Sequence, residues 1–287
     1  MWVRAAVARS GIGRVYTGGG VFMNVKVNKR IQELPEVDRA SFMPSCGDES
    51  NALGAAYALG VRRGVAVRPL RDLYLGPAYP ESQIEALIGR LGLRDRYRVV
   101  RLDEPEEKIA ALLADRQVVA RFAGRGEWGA RSLGNRAILA NPGYLESFHT
   151  VNDQIKARDF WMPFAPTILE TAAERYLEGY DAKKVEPSYM ITAFAATPLG
   201  IEHLRGAMHQ ADHTIRPQVL LEDANPSYYR TIKAFERRTG IGAVLNTSLN
   251  LHGSPLAGAL EQAVATFERS GLRYLALERF LITKDAS

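Results

Sequence analysis

Val118-Val-Ala-Arg-Phe122 runs directly into Ala123-Gly-Arg-Gly-Glu-Trp-Gly-Ala-Arg-Ser-Leu-Gly-Asn-Arg136. The first five residues, apolar apart from Arg121, predict a strand. The stretch that follows interleaves Gly124, Gly126, Gly129 and Gly134 with Arg125, Arg131 and Arg136. Glycines let backbone N–H groups come close to a ligand, and arginines grip phosphate oxygens through paired hydrogen bonds. A strand feeding such a loop points to an α/β fold with an anion site at the strand end. A solvated basic loop with glycines for turn geometry is the structural alternative, and residue types alone do not separate the two.

The surrounding pattern supports an α/β fold. Arg14–Thr17 reads as a short strand entering the turn Gly18-Gly-Gly20, and Val21–Val27 alternates as a further strand. Glu49–Leu59, Ser82–Leu93 and Pro105–Asp115 read as helices, the last with Asp103 as its cap. Asn225-Pro226 opens a helix that Gly240 closes. Ala243–Leu245 reads as a buried strand, Ala259–Ser270 as a helix and Tyr274–Thr283 as a final strand. Strands alternating with helices indicate an α/β protein, with a change of domain at about Arg101–Pro105.

Two short motifs frame the second part. Lys156-Ala-Arg158 and Ser248-Leu-Asn250 supply a point charge, a planar fork, a hydroxyl and an amide, a set suited to a phosphate beside a small planar acyl group. Lys156 and Arg158 stand among Phe160, Trp161, Met162 and Phe164, and a charge in such company needs a partner. Asp153 or Asp159 could provide a structural one. Asn246, Thr247, Ser248 and Asn250 follow a strand, where such residues commonly serve turns. Arg216, in Thr214-Ile-Arg-Pro-Gln218, is a third basic candidate.

Composition narrows the classes. The 287 residues suffice for one large or two ordinary domains, and 46% hydrophobic with 24% charged residues fits a globular chain with a substantial core. Thirty-seven basic against 32 acidic residues give a net charge of +5, without a block of like charges. That balance suits a few phosphate-binding groups better than a nucleic-acid arm. Cys46 is the single cysteine, so no internal disulfide framework forms. No apolar run reaches the length of a membrane span, and Met1–Arg14 lacks the apolar stretch of a signal peptide, so a cytoplasmic location is expected.

From about Thr17 to the C-terminus, these motifs resemble the O-carbamoyltransferase family of nodulation and antibiotic-tailoring enzymes. The resemblance implies part of an actin-like (ASKHA-type) domain over residues 1–103 and a YrdC-like α/β domain with a twisted mixed sheet over 104–287. It implies ATP-dependent carbamoyl transfer from carbamoyl phosphate to a hydroxyl of a small molecule, through a carbamoyl-adenylate, with magnesium on the triphosphate. Lys156, Arg158, Ser248 and Asn250 are then the catalytic set. Arg125, Arg131, Asn135, Arg136, Arg216, Asn246 and Thr247 are the nucleotide and carbamoyl phosphate contacts. Gly19, Gly20 and Asn24 match the ligand loop of the transfer domain. Asp48, in Cys46-Gly-Asp48, matches an aspartate that joins two histidines around a divalent metal, typically iron; capping the following helix is its structural alternative.

Those two histidines would precede Met1, so the site is incomplete; a split gene, a truncated reading frame and a fragment are the alternatives, and a separate N-terminal partner chain could complete it. His209 and His213, spaced as on one helix face around Asp212, match a loop and strand of the family and are not assigned to a metal. His252 near Ser248-Leu-Asn250 serves the nucleotide or packing equally well. Two rival readings remain, a tRNA-associated YrdC-like protein and a folded, non-catalytic remnant. The lack of a basic run argues against the first, and the retention of both motifs argues against the second.

Overall fold

The computed structural model describes residues 2–156, 159 and 162–284. Its strands are β1 (Arg14–Thr17), β2 (Arg39–Phe42), β3 (Arg98–Arg101), β4 (Val119–Phe122), β5 (Arg136–Ala140), β6 (Ala165–Leu169), β7 (Phe194–Ala195), β8 (Thr214–Ile215), β9 (Gln218–Leu220), β10 (Ala243–Ser248), β11 (Tyr274–Leu277) and β12 (Phe280–Thr283). Eight form one mixed sheet in the order β3-β12-β11-β4-β5-β10-β6-β9, in which β11–β4 and β6–β9 are parallel pairs and the other neighbours are antiparallel. The fold is therefore α/β with a large mixed sheet, as expected. Strands β1 and β2 form a separate parallel pair, and β7 and β8 an antiparallel one.

Side chains of a strand point alternately to its two faces, and here both faces are covered. Val119, Ala137 and Leu139 join a core with Ile109 and Leu113 of helix Pro105–Ala114 and Tyr228, Ile232 and Phe235 of helix Pro226–Thr239. Their neighbours Ala120, Phe122, Ile138 and Ala140 join a second core with Ile84, Phe148, Val264 and Phe267 from helices Glu81–Arg90, Leu145–Val151 and Leu260–Glu268. Asn225 caps the 226–239 helix by accepting from the Tyr228 N–H at 3.2 Å, and Gly240 ends it with φ of 76°.

Four local expectations change. Residues 21–27 are not a strand: Gly20–Met23 is a 3₁₀ turn, and Asn24 caps a helix over Val25–Gln32. Its Oδ1 accepts from the N–H groups of Lys26 at 3.0 Å and Val27 at 3.2 Å, which outweighs a short alternation of apolar residues. Tyr274–Thr283 is two strands, folded back at Glu278, whose φ is 49°. Asp103 does not cap: the 105–114 helix has Glu104 at its N-cap without a side-chain bond, while Asp103 lies outside, near Arg101 and Arg279. Finally, β3 precedes residue 104 yet forms an edge of the large sheet beside β12. No helix among the described residues is long and apolar enough to cross a membrane.

Candidate functional site

The two motifs, 92 residues apart in sequence, meet at the end of β10. Helix Leu145–Val151 continues into a π-helical stretch, Asn152–Lys156, a type of helical irregularity often found at functional sites. It carries Lys156 inward, where the residue is 1% exposed. Lys156 Nζ donates to Ser248 O at 2.6 Å, Asn250 Oδ1 at 2.6 Å, Asn250 O at 3.0 Å and Ser248 Oγ at 3.1 Å. Ser248 Oγ donates in turn to Asn250 Oδ1 at 2.6 Å, and Asn250 Nδ2 to Ser254 O at 2.5 Å. An ammonium has three donors, so these oxygens account for its hydrogen-bonding capacity. These hydrogen-bond partners of Lys156 lie on the Ser248–Asn250 turn and are not the structural alternatives Asp153 and Asp159. Arg158 lies outside the described residues.

This clasp borders a cavity of about 670 Å³. Arg131, Lys156, Arg216, Thr247, Ser248 and Asn250 line it, and Asn246 and Ser132 close its floor. The floor is a buried polar network: Asn246 Nδ2 donates to Ser132 O at 3.1 Å and Thr167 Oγ1 at 3.0 Å, and Thr167 Oγ1 donates to Gln218 Oε1 at 2.8 Å. Such a network fixes the strand ends rigidly beneath the cavity. His209 and His252 also line it. Residues 209–213 form a turn, closed by His213 N–H on His209 O at 2.9 Å, so the two histidines do not share a helix face.

The arginine loop divides. Arg131 reaches the cavity, whereas Arg125, Asn135 and Arg136 face elsewhere. Arg125 donates to Gly76 O and Leu75 O, both at 3.0 Å. Asn135 Oδ1 accepts from Arg121 Nη1 at 3.0 Å and Asn225 Nδ2 at 2.8 Å. Arg136 is fully buried, stacks 3.6 Å over Phe122 and donates to Ala123 O at 2.7 Å. Burial pushes its guanidinium down to about 10, against the pull of Glu127 and Glu278. Glu127 knots the loop by accepting from the N–H groups of Asn135 at 2.7 Å and Leu133 at 2.8 Å. Burial raises its carboxyl despite those bonds.

Gly19 and Gly20 line a second cavity of about 860 Å³ with Phe22, Lys26, Lys29 and Asp212, and the side chain of Asn24 is taken by its helix cap. Lys26 and Thr214 border both cavities. Lys26 Nζ contacts Asp212, and burial of that carboxyl is outweighed by hydrogen bonds from Lys26 and Thr214, which hold it well below the usual carboxylate range. Asp48 opens helix Glu49–Arg62 without a side-chain capping bond. No group of three or more His, Cys, Asp or Glu suited to a metal occurs among the described residues, so the residues described do not fit a metal at Asp48.

Sequence reasoning missed Lys26, Ser132, Thr167 and His209 as cavity or floor residues. Thr167 carried a signal, as a polar residue inside the otherwise apolar Ala165–Leu169 strand; Lys26 carried none. What the cavity offers is a basic wall beside a serine, a threonine and two asparagines, an arrangement that concentrates and orients a polyanion.

Comparison with known proteins adds the family. The family model described as carbamoyltransferase C-terminus matches residues 110–284. An uncharacterized protein of Methanocaldococcus jannaschii is 34% identical over 95% of this chain and 45% of its own length. Nodulation protein NolO of Bradyrhizobium diazoefficiens is 31% identical over 96% of this chain and 50% of its own. The chain spans about half the length of the curated relatives it matches. Among solved structures, T. kodakarensis HypF aligns with a TM-score of 0.43 and 14% identity over 65% of this chain and 22% of that one.

Proposed function

Because the chain belongs to the carbamoyltransferase C-terminus family, we propose that it performs the activating half of an ATP-dependent carbamoyl transfer. One observation carries this reading: Lys156 clasps Ser248 and Asn250 at the edge of a cavity that Arg131 and Arg216 make basic. Carbamoyl phosphate would first lose inorganic phosphate to water, giving carbamate. A carbamate oxygen then attacks the α-phosphorus of ATP; that P–O bond forms, the bond to the β-phosphate oxygen breaks, and pyrophosphate leaves.

Arg131 and Arg216, with Arg158, supply charge to offset the crowded anions, which favours a transition state that spreads negative charge. Ser248, Asn250 and Thr247 orient the small acyl group, with Lys156 as the positioning residue that fixes their turn. Holding two reactants in line removes about 7–11 kcal/mol from a bimolecular barrier at best. Magnesium would arrive on the phosphates of the nucleotide.

The acceptor is a small-molecule hydroxyl, which attacks the carbamoyl carbon and releases AMP. We place that step at the Gly19–Gly20 cavity, as part of an actin-like unit completed by further protein, in a cytoplasmic setting. No step is assigned to a protein-bound metal at Asp48, which belongs to no group of three or more metal-ligating side chains among the described residues. The test is pyrophosphate release from ATP by the chain with and without carbamoyl phosphate, in Arg158→Ala and Ser248→Ala beside the wild type. Dependence on carbamoyl phosphate and loss in both variants support the reading; ATP binding without any release overturns it.

A further inference from the structure

Lys26 belongs to a part of the chain outside the segment matched by the family model, yet it lines the same cavity as Lys156 and Arg216. Its helix, Val25–Gln32, is fastened to the cavity wall by buried hydrogen bonds. Asn28 Nδ2 donates to Ile191 O at 2.6 Å, Gln32 Nε2 donates to Ala193 O at 3.0 Å, and Thr192 Oγ1 donates to Gln32 Oε1 at 2.6 Å. Met190 and Ala193, at the two ends of that fastened segment, themselves line the cavity. Lys26 therefore stands at a fixed place on its rim.

The charge arrangement there is asymmetric. Lys156 has its donors on the Ser248–Asn250 turn. Lys26, by contrast, is 44% exposed; it pairs with Asp212 and donates to Thr214 Oγ1 at 2.5 Å. Asp212 also accepts from Thr214 Oγ1 at 2.7 Å and from the Thr214 N–H at 3.1 Å. Both bonds fall on Oδ1, whereas Lys26 sits on Oδ2; in the half-exposed carboxylate water can take the place of the ammonium on Oδ2 while Thr214 keeps Oδ1 in position. A flexible four-carbon stem carrying a compact charge suits such an exchange between two anions.

We propose that Lys26 is an anion-binding residue of the activating cavity, exchanging Asp212 for a phosphate oxygen of the bound polyanion, so that the site is built from both parts of the chain. This rests on the reading of the cavity given above, with the anion being ATP, carbamoyl phosphate or the pyrophosphate product. The substitution Lys26→Met removes the charge and keeps the stem; Lys26→Arg restores charge; Arg90→Met, which loses an exposed charge paired with Glu261, neither residue lining the cavity, controls for net charge.

Equilibrium titration of the full chain with ATP, carbamoyl phosphate and pyrophosphate reads the effect. Loss of a charge-assisted contact predicts about tenfold weaker binding of at least one of the three in Lys26→Met. Lys26→Arg should recover most of it, with unfolding midpoints unchanged and Arg90→Met binding as wild type. Wild-type affinity of Lys26→Met for all three, or no binding of any of them by the wild type, overturns the inference. Lys26-dependent binding without carbamoyl-phosphate-dependent pyrophosphate release leaves it standing and overturns only the proposed activation chemistry.

Discussion

Two helices of 14 residues each, Glu49–Arg62 and Pro226–Thr239, show how little local composition decides about burial. The first is rich in alanine and leucine with two charged residues; the second carries five. Yet the first buries no residue and leaves Leu59 and Val61 exposed, while the second buries Tyr228, Tyr229, Thr231, Ile232, Ala234 and Phe235. The difference lies in what stands opposite. The 226–239 helix lies on the large sheet beside helix Pro105–Ala114, and its outer face pairs Arg230 with Glu106 at 2.9 Å and Arg238 with Glu107 at 2.8 Å. Hydrophobic stabilisation comes from area removed from water, not from apolar residues as such.

The sharpest way to break this comparison is a truncation on each helix. Phe235→Ala should cost about 4 kcal/mol, a buried aromatic side chain with a cavity left behind. Leu59→Ala should stay within about 0.5 kcal/mol, the usual range for exposed positions. Urea unfolding of both variants reads the contrast, and equal losses would end it.

Gly134→Ala sharpens the same core from the loop side. Gly134 has φ of 106°, and an added Cβ would meet the Tyr228 ring at 2.1 Å. Strain and overpacking together predict a loss of about 3 kcal/mol. A smaller effect is expected from Asn246→Ala beneath the cavity, about 2 kcal/mol for buried groups left without their partner, visible as a lower denaturation midpoint.

The smallest effect is electrostatic. The carboxyl of Asp212 is held low in the folded chain, so its contribution is present above the unfolded carboxylate range and fades as pH falls through the depressed folded value. Because the pair with Lys26 is nearly half exposed, Asp212→Asn should cost only about 0.5 kcal/mol at neutral pH. Stability followed against pH should show that difference shrinking in acid; a constant difference would count against the assignment.

The same contrast explains what could be read from sequence. Lys156 and Ser248-Leu-Asn250 were legible as a set of groups suited to a phosphate beside a small acyl group, and they meet in the fold, but their direct clasp was not foreseen. The α/β class followed from alternating elements, of which Val118–Phe122, Ala243–Leu245 and Tyr274–Thr283 contribute strands to the large sheet, while Arg14–Thr17 pairs apart from it. The fate of each loop arginine was not legible. Arg125 is taken by the carbonyls of Leu75 and Gly76, and Arg136 by Ala123 O and the Phe122 ring, partners that loop composition does not disclose. Lys26 sits in a run whose apolar alternation suggested a strand until the Asn24 cap turned it into a helix. Its placement depends on Asn28 and Gln32 finding carbonyls more than 100 residues away.

Carbamoyl-phosphate-dependent release of pyrophosphate from ATP, measured on the 287-residue chain and on Ser248→Ala, bears most directly on the clasped cavity as an activating site. Release that requires both substrates and disappears with the Ser248 hydroxyl is the predicted result. Release that is indifferent to Ser248, or ATP binding with no release under any condition, would contradict it.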